Sequence, residues 1–492
     1  MYHSIVGSIA SHADTQPDRL ALADSSQSVT YEELWRRVYG LSLELSKHGV
    51  GRRTCVVVEC NQSVDYMTCE FAIQLLKGIF VPVEKNSAPD RIREILDSVE
   101  AVLYIGKKSL SGDVPFFPLD EASKYAFSGA IDPDSVDFPC SEDTSEILFS
   151  TGTTGKSKGI ELTHGNDAAL AENVICGVKM KKENVELIPM PLSHSHGLRR
   201  TYGNLVNGSA AVFIEGVTLL KKVFNMMDEY NVTAMDLSPS SLSIIFKLSK
   251  DRLGDYADQL DYIQLGSAPL PEEDKLHLSR LLPNTRLYNF YGSTEAGCSC
   301  LLDFNSMSGK PGCIGKPAVN AQFIVVDENR NTIDSSEENL GFLASSGPIN
   351  MKGYWKEPEL TAKTMADGYI YTKDLGYIDE DGFIYMLGRK DDVINYGGIK
   401  ISPEEIESIV IKYPLITDCA CIPVKDPLTG QAPKLFIALS DPDAYEPKDL
   451  KNFLAQNLDA SKLPKYIEVI EEIPRTFNGK IQRKKLIERA ES

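Results

Sequence analysis

The chain has 492 residues, too many for one hydrophobic core, so two to four domains are expected. Hydrophobic residues make up 42% and charged residues 25%, an ordinary globular balance that excludes disordered and fibrous classes. The net charge of −19 argues against nucleic acid as a partner, and no apolar run is long enough to span a bilayer. The first residues lack a basic region followed by an apolar core, so no secretory signal is read. Ten cysteines are scattered without a C-x-x-C pair, which points to reduced, mostly buried thiols in a cytoplasmic protein rather than a disulfide frame or a zinc site. From Arg389 onward, 16 lysines and arginines face 17 acids, so nearly all of the negative charge lies before that point. Distant carboxylates are screened beyond about 8 Å at physiological salt, so local lysines and a metal ion can still draw anionic ligands to an acidic body.

In chain order, Thr30-Tyr31-Glu32-Glu33 is a capping box that leads into an amphipathic helix carrying Leu34, Val38, Leu41 and Leu45. Apolar strands at 54–58, 78–83 and 101–105 alternate with helices over 66–76 and from Ala88-Pro89-Asp90 onward. That alternation predicts a mostly parallel sheet covered on both faces. A buried strand at 146–149 follows, and the rhythm resumes with strands near 185–190, 210–214, 234–237, 262–265 and 286–290. Over 310–390 the strands shorten and turns multiply, as at Asp327-Glu328-Asn329 and Glu380-Asp381-Gly382, which predicts a small antiparallel barrel or sheet. Beyond Arg389 a compact α+β unit is expected. Its helix opens at Ser402-Pro403-Glu404-Glu405 with Ser as N-cap, and two strands flank the turn Pro427-Leu428-Thr429-Gly430. Cys298 with Cys300, and Cys419 with Cys421, alternate as in strands.

One stretch organises the rest: Phe149-Ser150-Thr151-Gly152-Thr153-Thr154-Gly155-Lys156-Ser157-Lys158-Gly159. Glycines let backbone N–H groups turn toward an anion, hydroxyls add donors and the lysines add charge, so a polyphosphate is the natural ligand. A Walker-type loop is excluded by spacing. Gly152 stands only three residues before Gly155, whereas that motif needs G-x-x-x-x-G-K-[ST]. The plain alternative is a surface turn rich in glycine and threonine.

Further motifs follow in order: Tyr288-Asn289-Phe290-Tyr291-Gly292-Ser293-Thr294-Glu295, Tyr371-Thr372-Lys373-Asp374-Leu375-Gly376, Gly388-Arg389-Lys390-Asp391-Asp392 and Pro474-Arg475-Thr476-Phe477-Asn478-Gly479-Lys480. Together with the glycine-rich stretch they resemble the adenylate-forming superfamily, which comprises acyl-CoA synthetases, adenylation domains of peptide synthetases and beetle luciferase. The resemblance runs from about residue 10 to 486. It implies a large N-terminal region, 1–388, of two α/β subdomains plus a small β-barrel-like subdomain. A small mobile α+β domain, 389–492, would follow. It also implies ATP, Mg²⁺ and coenzyme A. A carboxylate would attack the α-phosphorus of ATP to give an acyl-adenylate and pyrophosphate, and a thiol would then take the acyl group and release AMP.

The resemblance also assigns residues. Lys480 would bridge the carboxylate and α-phosphate oxygens; the alternative is a solvated lysine in a basic tail. Ser150, Thr151, Gly152, Thr153, Thr154, Gly155 and Lys156 would cradle phosphates, with Thr151 also near the metal. Glu295 would bind Mg²⁺, Thr294 would donate to the α-phosphate, and Gly292 and Ser293 would lie against the nucleotide. Asn289 would read the amino edge of adenine and Tyr291 would pack on it, unless Tyr291 is a core aromatic. Asp374 would take the ribose hydroxyls with Arg389 beside it. The superfamily usually has Gly before that Asp. Lys373 stands there instead, either as a phosphate contact or pointing outward. Asp391 would be the hinge, or an ordinary turn residue, and Gly397 with Gly398 would line the thiol tunnel. Gly266 and Ala268 are assigned to the nucleotide, and Gly266 with Ser238 to the acyl pocket.

His194, in Pro191-Leu192-Ser193-His194-Ser195-His196-Gly197, would gate the carboxylate end of the pocket or simply cap a helix. Amino-acid-activating relatives place an Asp in this segment, and none is present. Arg199 or Arg200 would either hold a second carboxylate of a dicarboxylic substrate or pair with surface acids. The expected activity is therefore an AMP-forming acid–thiol ligase acting on a small carboxylic acid. The first alternative is a stand-alone adenylation enzyme that loads an acyl or amino acid onto the phosphopantetheine of a carrier protein. The second, a scaffold without catalysis, would require loss of Lys480 or Glu295, and both are present.

Overall fold

The computed structural model describes the chain except residues 1–3, 111, 113, 151–157, 306–309, 311, 398, 476–479 and 492, and except the side chains of Ser150 and Ser461. Strands Cys55–Glu59, Ile79–Val83 and Leu103–Gly106 form as expected and run parallel, with every residue of Ile79–Val83 buried. They belong to a seven-stranded sheet that continues through the antiparallel pair Thr144–Ser150 and Lys158–Thr163.

A second, 14-stranded sheet carries the parallel strands Val185–Ile188, Ala210–Phe213, Ala234–Leu237, Tyr262–Leu265 and the first part of Arg286–Ser293. Between the sheets lies helix Val64–Leu75, buried at every position but Asp65. A helix apolar nearly all round needs cover on all sides. Here one core joins Val56 and Phe80 of the first sheet to Ile188 and Phe213 of the second, through Phe71 and Tyr202. The predicted capping box is present: Thr30 accepts from Glu33 N–H, and the Glu33 carboxylate accepts from Thr30 N–H.

Residues 310–390 give the short antiparallel strands expected, but among the described residues they close no barrel. Gln322–Val326, Gly341–Ser346, Tyr369–Ile378, Ile384–Arg389 and Cys313–Pro317 follow one another as the antiparallel end of the 14-stranded sheet. The physical reason is pairing. Strand Gly297–Asp303 is antiparallel to Arg286–Ser293 and offers its other edge to Cys313–Pro317, so the hydrogen-bond ladder runs on.

Residues from Ile394 onward build a five-stranded sheet of their own around Ile394, Ile406, Leu435 and Leu450. Its long pair, Ile416–Asp426 and Gly430–Leu439, flanks the predicted turn. Ser402 stands at the N-cap of helix Pro403–Val410, but its hydroxyl donates to Glu404 (2.9 Å) and caps no backbone N–H. Among the described residues no helix is long and apolar enough to cross a membrane.

Candidate active site

The carboxyl ends of the parallel strands Ala234–Leu237, Tyr262–Leu265 and Arg286–Ser293 open onto Ser238, Gly266 and the Thr294–Glu295 turn, the end of an α/β sheet where ligands bind. The turn is set by packing. A Cβ on Gly292 would lie 1.9 Å from the Gly297 carbonyl oxygen, and Gly297 has φ +65°. Ser293 serves this turn, its hydroxyl accepting from Ala296 N–H at 3.0 Å. Glu295 is thereby presented to Tyr354, whose hydroxyl donates to its carboxylate at 3.0 Å, while the Glu295 carbonyl accepts from Met351 N–H at 2.8 Å. Thr294 is half-buried beside it. The Lys158 ammonium lies 5.7 Å from the centre of the Tyr354 ring, so the start of strand Lys158–Thr163 meets the tyrosine that supports Glu295. Thr151, Gly152, Thr153, Thr154, Gly155 and Lys156 lie outside the described residues, as do Asn478 and Gly479 before Lys480 and Gly398 after Gly397. Ser150 ends its strand, paired with Lys158.

Asp374 is buried in strand Tyr369–Ile378. The Tyr291 hydroxyl donates to its carboxylate, and Arg389, its cross-strand partner, approaches to 3.5 Å. Burial and the charge of Asp374 push the Tyr291 phenol well above its usual pKa, so it stays a donor. Lys480, though 106 residues beyond Asp374 in sequence, has Arg389, Glu295 and Asp374 as its electrostatic neighbours. Crowding by protein and then the charge of Arg389 lower its pKa, while Glu295 and Asp374 oppose the shift. The side chain nonetheless keeps contact with solvent. Asn289 is buried, and among the described residues its amide oxygen has no hydrogen-bond partner.

Lys373 points outward. Its ammonium is 3.2 Å from the Asp391 carboxylate, both side chains being more than two-thirds exposed (72% and 73%). Gly397 occupies an exposed hairpin turn with φ +59° and open space around it. Its glycine therefore answers to backbone conformation here, not to a crowded channel.

On the acyl side, His194 holds the N-cap position of helix Ser195–Asn207 without capping it through its side chain. Its Nε2 lies 3.1 Å from Glu84, whose carboxyl is held below its usual range by that contact. Ser238 does cap, accepting from Ser241 N–H at 3.1 Å, so its hydroxyl is committed to the helix start. Ala268 is half-buried in the loop after Tyr262–Leu265.

Arg199 and Arg200 are both fully buried and ion-paired with acids of the protein itself, which favours the pairing alternative over a second-carboxylate role, although Arg199 Nε and Arg200 Nη1 have no hydrogen-bond partner among the described residues. Arg199 meets Asp167 at 3.0 Å and also Glu146, on the strand leading to the glycine-rich stretch. Arg200 donates to Glu186 through Nε at 2.9 Å and to the Tyr262 hydroxyl at 3.2 Å. The Tyr202 hydroxyl lies against both Glu146 (2.8 Å) and Glu70. One hydroxyl has one proton to give. Burial and the charge of Glu146 push Glu70 well above its usual range, which eases the approach of two carboxyls to one hydroxyl.

A family model described as AMP-binding enzyme matches residues 9–355, and one described as AMP-binding enzyme C-terminal domain matches residues 405–480. The chain belongs to the AMP-binding enzyme family. This AMP-binding enzyme is similar to a 2-succinylbenzoate–CoA ligase of Bacillus cereus, 27% identical over 478 residues covering 96% of this chain and 95% of the relative. It is similar also to the peroxisomal OPC-8:0-CoA ligase 1 of Arabidopsis thaliana, 26% identical over 96% of this chain and 91% of the relative. Its fold matches ATP-bound MatB from Rhodopseudomonas palustris (TM-score 0.89, 22% identity, 100% and 99% of the two chains). It matches o-succinylbenzoate CoA synthetase from Bacillus subtilis as well (TM-score 0.86, 22% identity, 97% of each).

Sequence reasoning missed Tyr354 as the support of Glu295, and it missed the pairing of His196 with Asp236 in this AMP-binding enzyme, although Ser267, which holds the other ring nitrogen, stood in the stretch Gly266-Ser267-Ala268-Pro269 expected to floor the acyl pocket. Asp236 carried a signal, a charged residue inside the apolar strand Ala234–Leu237. Tyr354 carried none, since it reaches Glu295 from 59 residues away.

Proposed function

We propose that this AMP-binding enzyme is an ATP-dependent acid–thiol ligase that converts a small carboxylic acid to its acyl-adenylate and passes the acyl group to coenzyme A. The observation that carries this reading is the convergence of Lys480 on Asp374, Arg389 and Glu295. A C-terminal cation placed there neutralises charge where carboxylate and α-phosphate oxygens meet, an effect worth roughly 3–4 kcal/mol of barrier. The unpartnered amide oxygen of Asn289 fits the exocyclic amine of adenine. Asp374, already accepting from Tyr291, has the acceptor chemistry for ribose hydroxyls. Glu295, oriented by Tyr354, is the Mg²⁺ ligand; the ion, when bound with the nucleotide, supplies neutralisation of the phosphate oxygens.

The small domain begins at residue 389 and swings about Asp391. Lys480 serves adenylation in one pose, and Gly397 and Gly398 line the thiol path in the other. His194 closes the carboxylate end of the acyl pocket. The ten cysteines, none in a disulfide, suit a reducing compartment, the cytoplasm.

The test is ATP–pyrophosphate exchange across a panel of carboxylic acids, followed by coenzyme A and phosphopantetheinyl carrier protein as acceptors for the best acid. Exchange with one acid class, and its conversion to a coenzyme A thioester, is the expected result. No exchange with any acid would sink the ligase reading, and transfer to the carrier alone would replace the acceptor.

A further inference from the structure

Helix Ser195–Asn207 brings His196 against the ends of two strands. His196 Nε2 lies 2.7 Å from Asp236 Oδ1, and Nδ1 lies 2.7 Å from Ser267 Oγ. The Gln264 amide is 3.4 Å from the same Nε2. Asp236 is fully buried, and its second oxygen, Oδ2, has no hydrogen-bond partner among the described residues. A buried carboxylate oxygen left unpaired is costly, and such a group in a native protein calls for a ligand or a water. Two further facts place the pair against the Gly266–Ser267 loop at the carboxyl end of strand Tyr262–Leu265. A Cβ on Gly266 would sit 3.1 Å from His196 Cε1, so the imidazole lies directly behind that residue. Ser267, which anchors the other ring nitrogen, holds φ +73°, a conformation that costs energy for a residue with a Cβ. Arg200 lies within electrostatic range of Asp236, but its ion pair is with Glu186, and it makes no hydrogen bond to Asp236 Oδ2.

We infer that His196 and Asp236 form the specificity wall of the acyl pocket, and that the acid this enzyme activates carries a protic donor, a hydroxyl or an amine, which docks on Asp236 Oδ2. His196 is the positioning residue. Its bonds to Asp236 and Ser267 fix the carboxylate with one oxygen turned to the ligand. A second carboxylate on the substrate would meet the charge of Asp236, with both nearby arginines already paired. The inference rests on the acid–thiol ligase reading and narrows its substrate class.

The test measures binding, so it does not depend on turnover. With AMP present, calorimetry compares para-hydroxycinnamate with para-methylcinnamate, ortho-aminobenzoate with ortho-methylbenzoate, and omega-hydroxy fatty acids with the parent acids. At least one donor-bearing acid is expected to bind roughly tenfold or more tighter than its partner, since a site built to pair with a donor rejects the analogue lacking it. Asp236→Asn should lower that ratio to below about threefold with AMP affinity unchanged. His196→Gln should lower it too, which a merely structural histidine would not do. Equal affinity within every pair, absence of binding included, or a ratio untouched in Asp236→Asn, overturns the inference. Failure of the ligase reading shows separately, as absence of pyrophosphate exchange with every acid while the binding preference persists.

Discussion

Two ionic clusters in this molecule differ in how far they are sealed from water. Around helix Ser195–Asn207, Arg199 and Arg200 are sealed from water and matched by Glu146, Asp167 and Glu186. In the cleft, Glu295 is held by Tyr354 at 3.0 Å and Asp374 by the Tyr291 hydroxyl and by Arg389 at 3.5 Å, and both acids are electrostatic neighbours of Lys480. Similar residue types therefore do opposite work. Where ion pairs are sealed from water the charges hold the fold, and where carboxylates border a cleft they keep acceptor capacity for a ligand.

That contrast can be broken at several points. The largest expected effect is Arg199→Ala, which leaves buried carboxylates without a cation and should cost about 3–5 kcal/mol in urea unfolding. Loss of activity with unchanged stability would instead return Arg199 to the substrate. Next is a pH effect. His164 is fully buried at the start of helix His164–Val178, and burial lowers its pKa to about 4. The unfolded chain takes up a proton near pH 6.5 that the folded one refuses. Stability from this group is thus complete above pH 6.5 and lost as pH falls toward 4, by about 2 kcal/mol at pH 5. His164→Gln should flatten that part of the profile.

Within the cleft, Tyr354→Phe frees Glu295 and should raise KM for Mg-ATP about threefold to tenfold, with stability changed little. An unchanged KM would separate Tyr354 from the nucleotide. The smallest effect belongs to the exposed Lys373–Asp391 pair. Lys373→Gly should shift the ratio of the two half-reaction rates by less than about fivefold, and high salt should abolish the difference. A large, salt-insensitive change would give Lys373 a phosphate contact after all.

How much was legible in advance follows the range of each interaction. Strands Ala234–Leu237 and Tyr262–Leu265 have the bounds their apolar runs predict, and the Thr30 capping box is read within four residues. The order of the 310–390 strands was not legible, because alternation says that a strand has two faces but not which strand lies beside it. Arg199 looked like a surface residue for the same reason. Its acids come from Glu146 and Asp167, 53 and 32 residues away on other elements. Asp374, Glu295 and Lys480 were named through motif resemblance, and the geometry adds what motifs omit, the tyrosines on Asp374 and Glu295. The wall of His196 and Asp236 was half visible, since its histidine stood in a segment where attention went to His194.

The most direct measurement separates the two half-reactions in Lys480→Ala. Pyrophosphate exchange is expected to fall roughly a hundred- to a thousandfold, while transfer from a supplied acyl-adenylate to coenzyme A stays within about threefold of the native rate. Equal loss in both halves, or exchange at the native rate, would contradict the placing of this lysine over the nucleotide.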